Sequence, residues 1–168
     1  MAPYKTKAIS IRTKPFMEAD KMVTLFTRDH GKIRAIAKGA RRVPSSLGGR
    51  VETFTYADYF IAKGRNLDII SQGQVIETFQ RIRENPEMLP SGLYMIKLVD
   101  SGTAEGQPYP ELFDLLLQSL LRLKIGDPAR RVAKDFEKSF VVLEGIHCEG
   151  VDPQYALSEH VGKDLRSW

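Results

Sequence analysis

The residues able to do covalent or metal chemistry are few and scattered in this chain. Its three histidines are His30, His147 and His160, and its single cysteine is Cys148. No GxxxxGK[ST] phosphate loop, GxSxG nucleophile elbow or HExxH zinc helix occurs. His147, Cys148 and His160, with Glu149 or Glu159, offer a conceivable zinc set, but the spacing matches no standard site, and such residues are more often structural. The expectation is therefore a protein without a catalytic site, metal or cofactor. One cysteine also excludes an intrachain disulfide framework.

Phosphate chemistry has more to recommend it. In Lys32 to Lys38 the residues Lys32, Arg34, Ile36 and Lys38 fall on one face of a strand, and Ile33, Ala35 and Ala37 on the other. Same-face neighbours are about 6.8 Å apart, twice the roughly 3.4 Å rise. That is close to the spacing of phosphates along a nucleic-acid strand. Arg41, Arg42 and Arg50 prolong the track into the following loop, and guanidinium groups suit bidentate phosphate contacts. An ordinary solvated strand face is the bland alternative. Its weight falls because Glu52 is the only acid from position 30 to 52. The predicted nucleic-acid-binding residues are Lys32, Arg34, Lys38, Arg41, Arg42 and Arg50.

Two further groups are weaker. Phe54, Tyr56 and Phe60 share a face, with Tyr59 opposite. Exposed, they would form a stacking platform for unpaired bases, but the favoured reading places them in a core. Arg130, Arg131 and Lys134 lie beside a leucine-rich helix, a setting suited to an acidic, amphipathic protein tail. Pairing with Asp127, Asp135 and Glu137 is the simpler expectation for them.

The elements that must position these residues change character along the chain. Strands are predicted over Tyr4 to Lys14, with Ile9 and Ile11 on one face, Ser10 and Arg12 on the other, and Pro15 as an interruption. Further strands follow over Met22 to Arg28, Lys32 to Lys38, Val51 to Lys63 and Asn66 to Ile76. Asp29-His30-Gly31 and Gly64-Arg65 supply turns, and Ala40 to Arg50 reads as an exposed loop. Five short strands suit a small barrel of the oligonucleotide-binding type. After Asn85-Pro86 and Leu89-Pro90 the spacing becomes helical: Leu93, Ile96 and Val99, then Glu111 to Lys124 opened by Pro110. Val132, Phe136, Phe140 and Leu143 mark another helix, and Asp152-Pro153 caps a last one through His160. The predicted class is α+β, with a five-stranded OB-fold barrel at 1–80 and an all-α domain at 84–168.

Composition agrees with an ordinary folded protein. Of 168 residues, 42% are hydrophobic and 27% charged, which excludes a disordered chain. No apolar run reaches the roughly 20 residues of a membrane span, and no signal peptide opens the chain, so a soluble, intracellular protein is expected. Residues 1–83 carry a net charge of +9 and residues 84–168 carry −5, so any polyanion is expected to meet the first half.

The sequence resembles a specific family. Tyr4-Lys5-Thr6-Lys7-Ala8-Ile9, Glu18-Ala19-Asp20-Lys21, Val23-Thr24-Leu25-Phe26-Thr27 and the run His30 to Arg42 are similar to the N-terminal domain of RecO, the bacterial recombination mediator. Similarity continues through Leu47-Gly48-Gly49 and Pro110-Glu111-Leu112-Phe113 to Phe136-Glu137. The resemblance implies binding of single- and double-stranded DNA without sequence preference, annealing of complementary strands, and cooperation with RecR. It also implies recombinase loading on DNA coated by single-strand-binding protein, whose acidic tail would dock on the helical domain, and a cytoplasmic, nucleoid-associated location. The alternative is an adaptor that docks that tail with little DNA affinity of its own. Many relatives continue into a four-cysteine zinc element and further helices, whereas this sequence ends at Trp168 with Cys148 its only cysteine.

Overall fold

A computed structural model of the chain describes residues 2–146 and 150–162. They divide into two compact units. The first holds the residues up to Gln80 together with 104–110, and the second holds 81–103 and the residues from Glu111 onward.

The first unit is a closed five-stranded barrel in the order β1-β2-β3-β5-β4. Its strands are β1 (Tyr4–Phe16), β2 (Asp20–Thr27), β3 (Gly31–Ala37), β4 (Tyr56–Ala62) and β5 (Asp68–Glu77). All pairings are antiparallel except β3 with β5, which are parallel at Ala35–Asp68 and Ile36–Ile69. This is the barrel that the strand pattern predicts.

Its interior follows from alternation. Ala8, Val23, Leu25, Ala35, Ala37, Ala57, Tyr59, Ile61 and Ile70 form one buried cluster, with Ile33 packed against it. Alanines at Ala35, Ala37 and Ala57 leave room for the Tyr59 ring, which is fully buried. At about 25 cal/mol per Å² of apolar surface, this cluster supplies the barrel's main driving force.

Three local expectations need correction. Pro15 does not interrupt β1, which continues to Phe16 opposite Asp20. Beyond Ser10, whose amide and carbonyl meet Thr55 and Phe54, the strand pairs among the described residues only with β2, so it has an open edge on which a missing amide is tolerated. Ile9 and Ile11 do not alternate cleanly with Ser10 and Arg12, because a bulge falls between Ser10 and Arg12. Ser10 is buried and its Oγ donates to the Val51 carbonyl at 2.8 Å. Finally, residues 40–50 are not simply an exposed loop. Ala40, Leu47 and Val51 enter the barrel cluster, so the segment plugs the barrel while its arginines point outward. The Ser45 Oγ starts the 3-10 turn Gly48–Val51 by accepting from the Leu47 and Gly48 amides.

The second unit contains α1 (Gln80–Glu84) and α3 (Pro110–Ile125), each apart from its first residue, with α2 (Met88–Gly102), α4 (Ala129–Leu143) and α5 (Pro153–Val161). The sequence pattern predicts the last four; the single-turn α1 has too few residues to show periodicity. α2 packs against α4 and α5. Asp152 caps α5 by accepting from the Gln154 amide at 2.8 Å. Leu93 departs from its predicted stripe and is 44% exposed, whereas Ile96 and Val99 are buried beside Tyr94, Met95 and Leu98. Leu143 also turns outward, at 38% exposure.

Candidate nucleic-acid interface

The basic residues are set by the β2–β3 hairpin and the segment after it. On β3 the alternation is as predicted: Ala35 and Ala37 are fully buried, Arg34 is exposed, and Lys32 is half-buried. Beyond the strand, Lys38, Arg41 and Arg42 are all exposed. Their backbone is not free. Gly39, at a φ of 70° that favours glycine, donates its amide to Asp20 Oδ1 at 2.8 Å. The Arg41 amide donates to the Ala19 carbonyl at 2.9 Å, and the Arg41 guanidinium reaches the Met17 carbonyl at 3.3 Å. The β1–β2 turn thus clamps the turn that carries Lys38, Arg41 and Arg42, so three cations project from a fixed rim of the barrel.

Arg34 is a different case, and no local sequence signal shows it. The segment 104–110, remote in sequence, lies along β3: Glu105 bridges Lys32 in parallel, and the Gly106 amide donates to the Lys32 carbonyl at 2.9 Å. Glu105 Oε1 sits 2.8 Å from Arg34 Nε. An acid from outside the 30–52 interval therefore meets the predicted track. Gly31 admits this strap, since a Cβ there would stand 2.3 Å from the Gln107 carbonyl oxygen.

Arg50 lies elsewhere on the barrel. It lines a recess of about 410 Å³ with Phe60, Gln72, Gly73, Gln74 and Val75, and none of the other five predicted cations lines that recess. The Tyr59 hydroxyl donates to the Arg50 carbonyl at 2.5 Å, and burial pushes that hydroxyl's pKa above the usual tyrosine value. The favoured expectation of a core set holds for Phe54 but not for Phe60. Tyr59 is core, while Phe60 is 41% exposed and Tyr56 half-buried. Phe54 precedes β4 and is buried. Period-two alternation identifies the two faces of a strand but not which one is inward.

In the helical unit, Arg130, Arg131 and Lys134 are exposed on α4. The pairing expected for them with Asp127 and Asp135 goes instead to Arg122, at 2.8 Å and 2.9 Å. Glu137 is buried, and its carboxyl is pushed above the usual carboxylate range by burial, with the Tyr94 hydroxyl and Lys134 opposing. An open groove lies between α3 and α4, lined by Glu111, Leu115, Lys138, Val142 and Leu143 among others, and Arg130, Arg131 and Lys134 do not line it.

Among the described residues no group of three or more His, Cys, Asp or Glu is gathered to hold a metal. His147, Cys148 and Glu149 lie outside the described residues, and His160 Nε2 is 3.4 Å from Glu144 Oε1. Among the described residues no helix is long and apolar enough to cross a membrane.

Comparison with known proteins decides the family. The family model described as "Recombination protein O N terminal" matches residues 1–79, and "Recombination protein O C terminal" matches residues 83–143. The chain belongs to the RecO family. Proteins named "DNA repair protein RecO" resemble it over most of its length. That of Pelotomaculum thermopropionicum is 38% identical over 158 residues, covering 89% of this chain and 61% of the relative. Those of Bacillus pumilus and Nostoc punctiforme are 36% and 34% identical, covering 95% and 97% of this chain and 60% and 54% of the relatives. The chain thus spans between half and two thirds of the length of these RecO relatives.

Proposed function

We propose that this RecO-family chain acts in DNA repair and recombination by binding DNA through its barrel, without sequence preference and without a bond-making step of its own. The observation that carries this reading is the clamped rim bearing Lys38, Arg41 and Arg42. Three exposed cations on a fixed backbone attract a phosphate chain at little ordering cost, because the turn is already held by Asp20 and Ala19. Phosphate contacts give affinity and position but read no sequence. Annealing fits the same chemistry, since bringing two strands together requires relief of phosphate repulsion rather than nucleotide hydrolysis. RecR and single-strand-binding protein are the partners proposed from the family resemblance, with recombinase loading as the outcome.

The experiment is an annealing assay with two complementary labelled oligonucleotides, run with and without the protein and without nucleotide. Acceleration that disappears at high salt supports the reading. Absence of acceleration, with binding retained, limits the chain to DNA binding.

A second reading has its own observation. Arg130, Arg131 and Lys134 stay exposed on one helix while Arg122 holds two of their three expected acidic partners, Asp127 and Asp135. An adaptor binding an acidic tail would use them. Titration of an acidic, phenylalanine-ended peptide, against the chain and its Arg130→Gln/Arg131→Gln variant, tests it: equal affinity removes the assignment.

A further inference from the structure

The rim explains attraction to phosphate but not a distinction between paired and unpaired strands. The outer face of β4 and β5 offers one. Lys5, Phe60 and Gln72 are register partners on three adjacent strands, β1, β4 and β5, and all three are exposed. They form a row across the barrel with an aromatic ring at its centre. The Lys5 Nζ lies 5.6 Å from the centroid of the Phe60 ring.

The row behind it shapes the recess. Its register partners are Thr6, Tyr59 and Gly73. Gly73 is buried, and a Cβ there would meet the Tyr59 ring at 3.1 Å and the Arg50 Cβ at 3.7 Å. The missing side chain leaves room for the Tyr59 ring, whose hydroxyl fixes the Arg50 backbone from inside the barrel. Beyond Ile69, β5 has no strand partner among the described residues except β4, which leaves that side open toward Arg50. The recess of about 410 Å³ falls within the range of small-ligand sites, roughly 300–1,000 Å³.

We propose that the recess bounded by Phe60, Arg50 and Gln72 receives an unpaired nucleobase, stacked on Phe60 and flanked by Lys5 and Arg50 at the adjoining phosphates. Each part answers a part of a nucleotide. A base presents a flat aromatic face, which an exposed ring accepts whatever the base. The glutamine amides offer donors and acceptors to base edges. The lining residues include no acid that would repel phosphate. Asp58, the nearest acid in register, pairs with the lining residue Gln74 on one side and with Lys7, which offsets its charge, on the other. In a duplex the base faces are already stacked, and extruding one costs energy. The site therefore selects single strands. This inference rests on the reading of the barrel as a DNA-binding unit.

The test uses a single-stranded oligonucleotide with one 2-aminopurine, and a duplex of equal length, with the wild-type chain and the Phe60→Ala, Phe60→Leu and Phe60→Trp variants. Stacking against an aromatic side chain is expected to change the 2-aminopurine emission. Loss of that contact is expected to weaken single-strand binding about five- to a hundredfold in Phe60→Ala and Phe60→Leu, with Phe60→Trp close to wild type. Duplex binding should stay within about twofold, as expected for a substitution that touches no phosphate contact. Phe60 is exposed, so the variants should fold, and an unchanged circular dichroism spectrum checks this. Unchanged single-strand affinity, or equal losses on both forms, overturns the site while leaving the rim intact. A wild-type chain that binds neither DNA form, even at low salt, overturns the DNA-binding reading itself.

Discussion

Replacing Glu105 by Gln should tighten DNA binding, and the structure sets the size of the effect. Glu105 Oε1 lies 2.8 Å from Arg34 Nε, and the two side chains are 55% and 48% exposed. An exposed pair of this kind is worth about 0–1 kcal/mol. A phosphate contact worth less than that interaction leaves Arg34 with Glu105 in the wild type, and removing the competing charge frees Arg34 for it, which raises affinity by up to about fivefold at low salt. The gain should also carry a salt signature. One additional phosphate contact steepens log K against log salt by about 0.7 on a single strand. Raising salt from 50 to 200 mM should then cost the variant about 2.6-fold more affinity than the wild type. The fold should persist, because the link between the strap and Lys32 runs through the backbone, with the Gly106 amide on the Lys32 carbonyl. Anisotropy of a labelled oligonucleotide at both salt concentrations measures both quantities. Equal affinity and equal slope in Glu105→Gln would show that DNA does not reach Arg34. Weaker binding would show that Glu105 orients Arg34 rather than competing for it.

Two further predictions concern stability. Gly31→Ala should destabilise the barrel by about 1–3 kcal/mol from its φ of 72° alone, and displace the strap, since the new Cβ meets the Gln107 backbone; thermal unfolding and amide exchange at Gly106 check both effects. Glu137→Gln should leave stability nearly unchanged at low pH and raise it at higher pH. The folded-state pKa of Glu137 is raised, chiefly by burial, so wild-type stability falls as pH climbs from the usual carboxylate value through the raised one. The difference in melting temperature between variant and wild type should therefore grow with pH across that window, and a constant difference would refute the assignment.

The architecture was legible wherever periodicity is local. Five strands, the turn at His30-Gly31, the Pro110 start of α3 and the Asp152 cap of α5 all follow from residues near one another in the chain. The basic face of β3 was legible for the same reason, because Ala35 and Ala37 define its opposite side. What was not legible depended on distant residues. Glu105 is about 70 positions from Arg34, and its approach depends on a glycine at 31 as well as on the strap. The inward choice between Tyr59 and Phe60 depends on the small side chains around the barrel interior, particularly Gly73, Ala35 and Ala37, which make space for one ring. Ala40 and Leu47 of the plug read as loop because they follow no period, and Val51 reads as the start of a strand that begins only at Tyr56.

The most direct test of the account is the salt dependence of single-strand binding by a Lys38→Gln/Arg41→Gln/Arg42→Gln variant. Three lost phosphate contacts should lower the slope of log K against log salt by about 2, at about 0.7 for each contact. The variant should keep the wild-type fold, since all three side chains are exposed and the backbone clamps from Asp20 and Ala19 remain. An unchanged slope in a folded variant would contradict the central claim that this rim is where the RecO-family barrel meets the phosphate chain.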